Sequence, residues 1–533
     1  MIIGNPSPKG CLCLVLHAHL PYIRHPEHEF MLEENWLFEA ITETYIPLLL
    51  IFDNLVNDRV PFRITVSLSP TLCSMLADPL LQERYIKYID RSIECAEKEC
   101  VRTKKQPEFL ASARMYVDKF RSARRVFVDM NDCNILEHFR QLQEKGALEI
   151  ITSAATHGFL PVLQANPQAV RAQVQIGVES YCRHFKRGPK GFWLPECGYY
   201  PGVEKILGAA GVSYFFTDAH GILFAEPRPQ YGVFAPVLCN EAPVAAFGRD
   251  IESSKAVWSS REGYPGDFAY REFYRDIGFD LDMDYIRPYI DPIGIRTNTG
   301  IKYYKITGKT EHKKPYNQSE ALDRALVHAG NFMFNREKQV EYCAALMDRR
   351  PIIVAPYDAE LFGHWWYEGP DWLNYLIRKM AFEQDTLGLC TASDYLAKNP
   401  RNQVCRPSLS SWGYKGYSEV WLDTSNDWIY PHLHKMEERM ADCAKRYKEA
   451  EGLTRRALNQ MARELLLAES SDWAFIMKSG TMVNYSQRRE SEHIVNFNRL
   501  YDDLEAERLE EKYVGMLESH NNIFPDIDYS VYS

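Results

Sequence analysis

The sequence predicts an α/β protein built on a parallel barrel, with a helical insertion and a helical C-terminal domain outside it. Three observations carry this reading. Short, continuous apolar runs of strand length recur along the chain, helix-like stretches separate most of them, and almost every run ends in polar or ionisable residues. A run that is apolar without interruption belongs to a strand buried on both faces, and strands alternating with helices pair in parallel. So many of them point to closure into a barrel.

In chain order, the first run is CLCLVL at 11–16, and it ends in HAHLPY, which sets His17 and His19 at the strand end. FRITVSLSP (62–70), LEIITSAATHGF (148–159), GFWLPECG (191–198), VSYFFTDAHG (212–221), PIIVAPYDAELFG (351–363) and LGLCTAS (387–393) follow. Their ends carry Ser67 and Ser69, Thr156 and His157, Glu196, Asp218 and His220, Asp358, and Ser393. NPQAVRAQVQIGVESYCRHF at 166–185 is typical of the helical stretches between them. In parallel α/β barrels the active site lies at the C-terminal ends of the strands, and a barrel built for stability alone needs no titratable groups there.

Two regions break the alternation. Residues 75–145 hold no strand run, are rich in charge and show helical spacing around 112–145. From about residue 430 to 515 the chain is again helical and charged, with the charge on a solvated face. The expected division is a catalytic barrel from 1–74 and 146–405, a helical insertion at 75–145 and a helical C-terminal domain at 406–533.

Composition limits the partners. The 533 residues are 46% hydrophobic and 25% charged, enough for a large core. A net charge of −10 with no long basic block argues against nucleic acid. Apolar runs such as YIPLLLIF at 45–52 are too short to cross a bilayer, so no membrane partner is expected. Thirteen cysteines without CxxC spacing, behind a start that lacks a leader pattern, read as reduced thiols in a cytoplasmic protein.

Two acids stand out by context. Glu196 sits in GFWLPECGYYPG among Phe192, Trp193, Tyr199 and Tyr200, and Asp358 opens DAELFGHWWYEGPDW. An unpaired buried carboxylate is costly, so each position needs a reason; a salt-bridged acid in a turn is the plain one. Paired carboxylates are also what glycoside cleavage uses. One attacks or stabilises the anomeric carbon, the other protonates the leaving oxygen, and retention requires about 5–6 Å between them. Trp365, Trp366, Trp372, Trp412 and Trp421 are candidates for stacking on sugar rings, against the alternative of core packing. His17, His19, His157, His220 and His364 lie at or beyond strand ends. An HxH pair with an Asp and a further His leaves zinc open, as in a deacetylase-like barrel. No HExxH or nearby Cys accompanies it, so hydrogen bonding to sugar hydroxyls and to the acids is favoured, and no metal is expected.

LVLHAHLPY, ATHGFLP, WLPECGY, YDAELFGHWW and SSWGYKG occur in the order of the conserved regions of glycoside hydrolase family 57. Over nearly its whole length the chain resembles the 1,4-α-glucan branching enzymes of that family. The resemblance implies an incomplete (β/α)7 barrel with a helical insertion and a helical C-terminal domain. It implies Glu196 as nucleophile and Asp358 as general acid/base in a double displacement that cleaves α-1,4 and forms α-1,6 linkages. His17 and His157 would line the donor subsite, and Trp36, Trp412 and Trp421 would contact glucan. His19, Asp218, His220 and His364 are expected around the same site. The implied partners are α-1,4-glucan donor and acceptor chains, with no metal or organic cofactor. There are two departures. The family's mobile loop bearing a Tyr corresponds to 231–250, which looks short and has Tyr231 only at its edge, and Phe279 stands where Trp is expected. Both bear on the balance of branching and hydrolysis, so an α-amylase-like hydrolase is the first rival. A silent glucan-binding protein and a metal-dependent carbohydrate deacetylase are the others.

Overall fold

The structure is a computed structural model that describes residues 8–259, 262–290 and 294–533. Its ten strands are β1 Gly10–Ala18, β2 Ile64–Leu68, β3 Leu148–Ser153, β4 Gly191–Trp193, β5 Tyr214–Thr217, β6 Val237–Cys239, β7 Ala245–Gly248, β8 Ile352–Asp358, β9 Leu387–Leu389 and β10 Gln403–Cys405. Seven of them, in the order β8-β1-β2-β3-β4-β5-β7, run parallel and curl into a barrel wall. β6 adds antiparallel to β7, β10 parallel to β6, and β9 parallel to the first residues of β1. The apolar runs are unbroken because both faces of these strands are covered. Along β1, Cys13 and Val15 face an interior shared with Trp193, Phe216, Phe247 and Val354, whereas Leu12, Leu14 and Leu16 belong to the outer cluster packed under the helices.

The barrel is open, which corrects the closure expected from the number of runs and agrees with the incomplete barrel implied by the family resemblance. Among the described residues β7 and β8 share no ladder. The seam is crossed by the Asp250 N–H donating to the Val354 carbonyl at 2.8 Å. Instead of supplying an eighth wall strand, the chain after β7 forms the helix Ile251–Trp258 and a long, mostly irregular segment, and it returns to the wall through the helix Gln318–Leu346. From that helix the buried Arg336 pairs with Asp250 at 3.0 Å, which fixes the residue that spans the seam.

The regions without strand runs are helical. Pro79–Arg102, Pro107–Arg124 and Ile135–Glu144 occupy the first, and Tyr430–Arg446, Gly452–Ala468, Ser471–Ser479, Val483–Glu505 and Glu511–His520 the second. Among the described residues no helix is long and apolar enough to cross a membrane. The C-terminal helices dock on the exit of β3. The Thr156 hydroxyl donates to the Leu466 carbonyl, the Ser471 N–H donates to the His157 carbonyl at 3.2 Å, and the Gln173 amide donates to Glu469 at 2.7 Å.

That docking face buries three acids, Glu437, Glu469 and Glu490. Asn166 donates to Glu437, but neither oxygen of Glu490 has a partner. Burial holds all three carboxyls above the ordinary range, and mutual repulsion adds to this for Glu469. A folded-state pKa above the unfolded one means that the fold takes up a proton. Stability therefore falls as pH rises from the ordinary carboxylate value through the raised one. Glu437→Gln is expected to raise Tm near about pH 8 and to flatten the decline from about pH 6. Parallel melting curves for both proteins across that range would contradict it.

Candidate active site

The C-terminal ends of the wall strands open into a cavity of about 1630 Å³. β1 sets its floor, because His17 lies in register with Ser67 of β2 on one side and with Asp358 of β8 on the other. The strand exits bend sharply. His157 and Glu196 have φ of 58° and 59°, and Cys197 follows at 52°, left-handed backbone that costs a non-glycine residue free energy. Three such residues at two adjacent strand exits aim side chains that an ordinary turn would direct elsewhere.

Glu196 is held from the far side of the sequence. Residues around Ser410 pair antiparallel with Tyr199, and the Trp412 N–H then donates to the Glu196 carbonyl at 3.0 Å. This brings the Trp412 indole N–H to Glu196 Oε2 at 2.7 Å, while the Ser471 hydroxyl reaches Oε1 at 3.4 Å. The loop depends on Gly416, whose φ is 85° and where a Cβ would lie 2.8 Å from His220. Burial pushes the Glu196 carboxyl up to about 7, against the pull of the Trp412 hydrogen bond. Asp472 pushes it up further, and His19 and Ser471 draw it down. Asp358 is pushed well above the usual carboxylate range by burial, then by Glu360 and Glu196, with Arg249 opposing. Donors thus favour the ionised form of Glu196, whereas Asp358 is the acid that keeps its proton. That is the division of labour a nucleophile and a general acid require.

Three histidines form a stack behind the acids. His19 and His157 lie 3.8 Å apart with planes 15° from parallel, and His17 stacks on Trp193 at 4.5 Å. Burial alone would lower His19, but Asp472, at 3.1 Å, with Glu196 and Glu360, outweighs it and raises the imidazole. His17 and His157 are driven well below the usual range by burial and by neighbouring imidazoles. His19, His157 and Asp472 are the one group among the described residues whose ligating atoms lie within 4.8 Å of one another. Both nitrogens of each ring already have protein partners, and the near-parallel rings send their lone pairs side by side instead of toward one point.

The Glycosyl hydrolase family 57 model matches residues 13–410, and the 1,4-alpha-glucan branching enzyme C-terminal model matches 432–532. The chain belongs to glycosyl hydrolase family 57. A 1,4-alpha-glucan branching enzyme of Thermococcus kodakarensis is 34% identical over 530 residues, covering 93% of this chain and 74% of that protein. The alpha-amylase AmyC from Thermotoga maritima superposes with a TM-score of 0.92 at 46% identity, covering 98% of this chain and 99% of that one. The family 57 branching enzyme from Pyrococcus horikoshii superposes at 0.88 with 33% identity, covering 98% and 97%.

Within this family 57 cavity the structure brings together His17, His19, His157, Glu196, Asp358, Trp412 and an edge of Trp421. Trp421 is otherwise buried, stacked on Phe159 at 4.3 Å. Four expected residues stand outside the lining. Asp218 and His220 bind each other and brace Arg249 and the Gly416 carbonyl; His364 hydrogen-bonds Glu43 at 2.6 Å; Trp36 packs edge-on against Tyr485. Trp372 is core, whereas Trp365 is half-exposed at the mouth, stacked on Phe273 at 4.3 Å. Tyr231 also lies outside the lining, beside Asp348 and Arg349, ahead of the opposite end of β8 from Asp358. Phe279 is exposed and does not line the cavity. The sequence reading missed Arg249, Glu360, Ser471 and Asp472, and it assigned no role to the 271–275 and 306–313 stretches that wall the mouth. Glu360, two residues after Asp358 in the 351–363 run, carried the one legible signal, whereas β7 and the Arg249 after it fall in the 231–250 stretch read as a loop.

Replacing Trp412 by Phe keeps the ring and removes the indole donor. A hydrogen bond to a charged group contributes about 1.5–3 kcal/mol, so the Glu196 carboxyl is expected to titrate about one pH unit higher or more. Carbon NMR of labelled Glu side chains reads the midpoint. An unmoved midpoint with a lower Tm would make Trp412 a packing residue only.

Proposed function

We propose that this chain is a retaining 1,4-α-glucan branching enzyme. The observation that carries the reading is the unequal pair of acids on one cavity floor: Glu196 receives donors on both oxygens, while among the described residues no side chain donates to Asp358. The relatives named as branching enzymes and the matched C-terminal model support the choice of reaction.

Glu196 attacks C1 of an α-1,4-linked glucose as Asp358 gives its proton to the leaving 4-oxygen. The bond from C1 to that oxygen breaks, the bond to the Glu196 carboxyl forms, and Asp358 is left ionised. Asp358 then takes the proton of an acceptor 6-hydroxyl, whose oxygen displaces Glu196 and forms the α-1,6 linkage. Trp365 with Phe273 offers an apolar face at the mouth for the glucan chain. The residues present suffice for these steps without a metal or organic cofactor. Thirteen free cysteines support a reducing, cytoplasmic setting.

Water in place of the 6-hydroxyl gives hydrolysis. Two observations favour this second reading: the 46% identical structure is of an alpha-amylase, and Tyr231 lies away from the cavity. Incubation with amylose separates them. Proton NMR reports new α-1,6 linkages and a reducing-sugar assay reports chain ends; reducing ends without α-1,6 signal would make this an amylase.

Glu196→Gln and Asp358→Asn are each expected to cut turnover by about 10³-fold or more. The wild-type rate should be bell-shaped in pH, falling as pH drops below about 7, where Glu196 takes up a proton, and falling again as pH rises through the raised pKa of Asp358. A branching rate indifferent to either substitution would remove that acid from the mechanism. A strong chelator should leave the rate unchanged, and loss restored by zinc would return the deacetylase-like metal chemistry to consideration.

A further inference from the structure

Ser471 is buried, does not line the cavity, and lies in the first turn of the C-terminal helix Ser471–Ser479. Its hydroxyl is 2.9 Å from His157 Nδ1 and 3.4 Å from Glu196 Oε1. His157 Nε2 is 3.1 Å from His17 Nε2, and His17 Nδ1 is 3.0 Å from the Ser67 hydroxyl. The five side chains make one unbroken line from β2 to the Glu196 carboxylate.

The direction of the line follows from donor counting. An ionised carboxylate only accepts, so the Ser471 O–H donates to Oε1. Ser471 then accepts from His157, which requires the proton on Nδ1. A neutral imidazole has one donor and one acceptor, so His157 Nε2 is bare and accepts from the Nε2–H of His17. His17 Nδ1 is bare in turn and accepts from the Ser67 hydroxyl. Both rings are held neutral by burial. Every donor in the line therefore points toward Glu196.

We propose that Ser471 is a positioning residue for the reaction: it ties the tautomers of His157 and His17 to the ionised form of Glu196 and orients Oε1, without touching the glucan. The proposal rests on the reading of Glu196 as nucleophile. Ser471 acts on a carboxylate that also faces His19 from the β1 exit, His157 from the β3 exit at 3.9 Å, Asp472 from its own helix, Trp412 from the 410–416 loop and Asp358 from β8. Removing the hydroxyl takes one donor from the charged form, and the carboxylate is then easier to protonate.

The test is the pH dependence of kcat/KM for amylose consumption with the full chain, which reads the same for branching and hydrolysis. Ser471→Ala is expected to lower kcat/KM by about tenfold and to move the acid limb to higher pH, with Tm nearly unchanged. Ser471→Thr, which keeps the hydroxyl, should return the limb to its wild-type position. A Ser471→Ala enzyme with a lower Tm and an unmoved acid limb would leave Ser471 a packing residue and overturn the proposal. Glu196→Gln, assayed in parallel, tells the two failures apart. If it is inactive, an unmoved limb in Ser471→Ala overturns the role of Ser471 alone; if it is active, the reading of the nucleophile falls and this proposal with it.

Discussion

Two buried carboxyl groups on one cavity floor resist carrying charge together, and the architecture of the site follows from that constraint. Burial raises both, with Asp472 adding to it at Glu196, and Glu360 and Glu196 adding to it at Asp358. What separates them is the placement of donors: an indole N–H and a hydroxyl reach Glu196, while among the described residues no side chain donates to Asp358 at the end of its strand. Ion pairing would be the simpler way to bury an acid. Among the described residues neither acid pairs with a Lys or Arg, which makes the apolar run that leads into Glu196 intelligible.

Both donors come from beyond residue 405, so the acids of the barrel depend on a part of the chain that contributes none of its strands. The 410–416 loop pairs with the backbone after Glu196, and the helix beginning at Ser471 pairs with the backbone at His157. Glu196 and His157, two of the left-handed residues at the strand exits, are thus the points where the later chain takes hold. Strain at the strand exits and docking of the helices are two sides of one arrangement, since the docking contacts are what hold the bent exits in place.

Most of the barrel was legible because a strand buried on both faces must be apolar without a break, and six of the seven wall strands coincide with such a run; β7 lies in the 231–250 stretch read as a loop, and the run at 387–393 is β9, off the wall. The runs by themselves did not show the opening, because the same runs would serve a closed wall; the family motifs implied it, and the crossing at Asp250 and its clamp by Arg336 are its physical basis. Strand-end His17, His157, Glu196 and Asp358 could be picked out by position alone. Ser471 and Asp472 could not, since they begin a helix 453 residues after His19 and nothing local separates them from any other helix start. Asp218, His220 and His364 have the strand-end signature too, yet their hydrogen bonds are spent on bracing Arg249, the Gly416 loop and Glu43. A titratable group at a strand exit marks the face of the barrel, and only its partners decide whether it meets the cavity.

The span of the site along the chain has a consequence for biosynthesis. A growing polypeptide presents His17 before Glu196 and Asp358, and Ser471 and Asp472 later still. Until those last helices dock, the nascent barrel has its acids without their donors. The paired acids are therefore complete only once these later segments have been made and have docked, and the barrel motifs alone do not supply that arrangement.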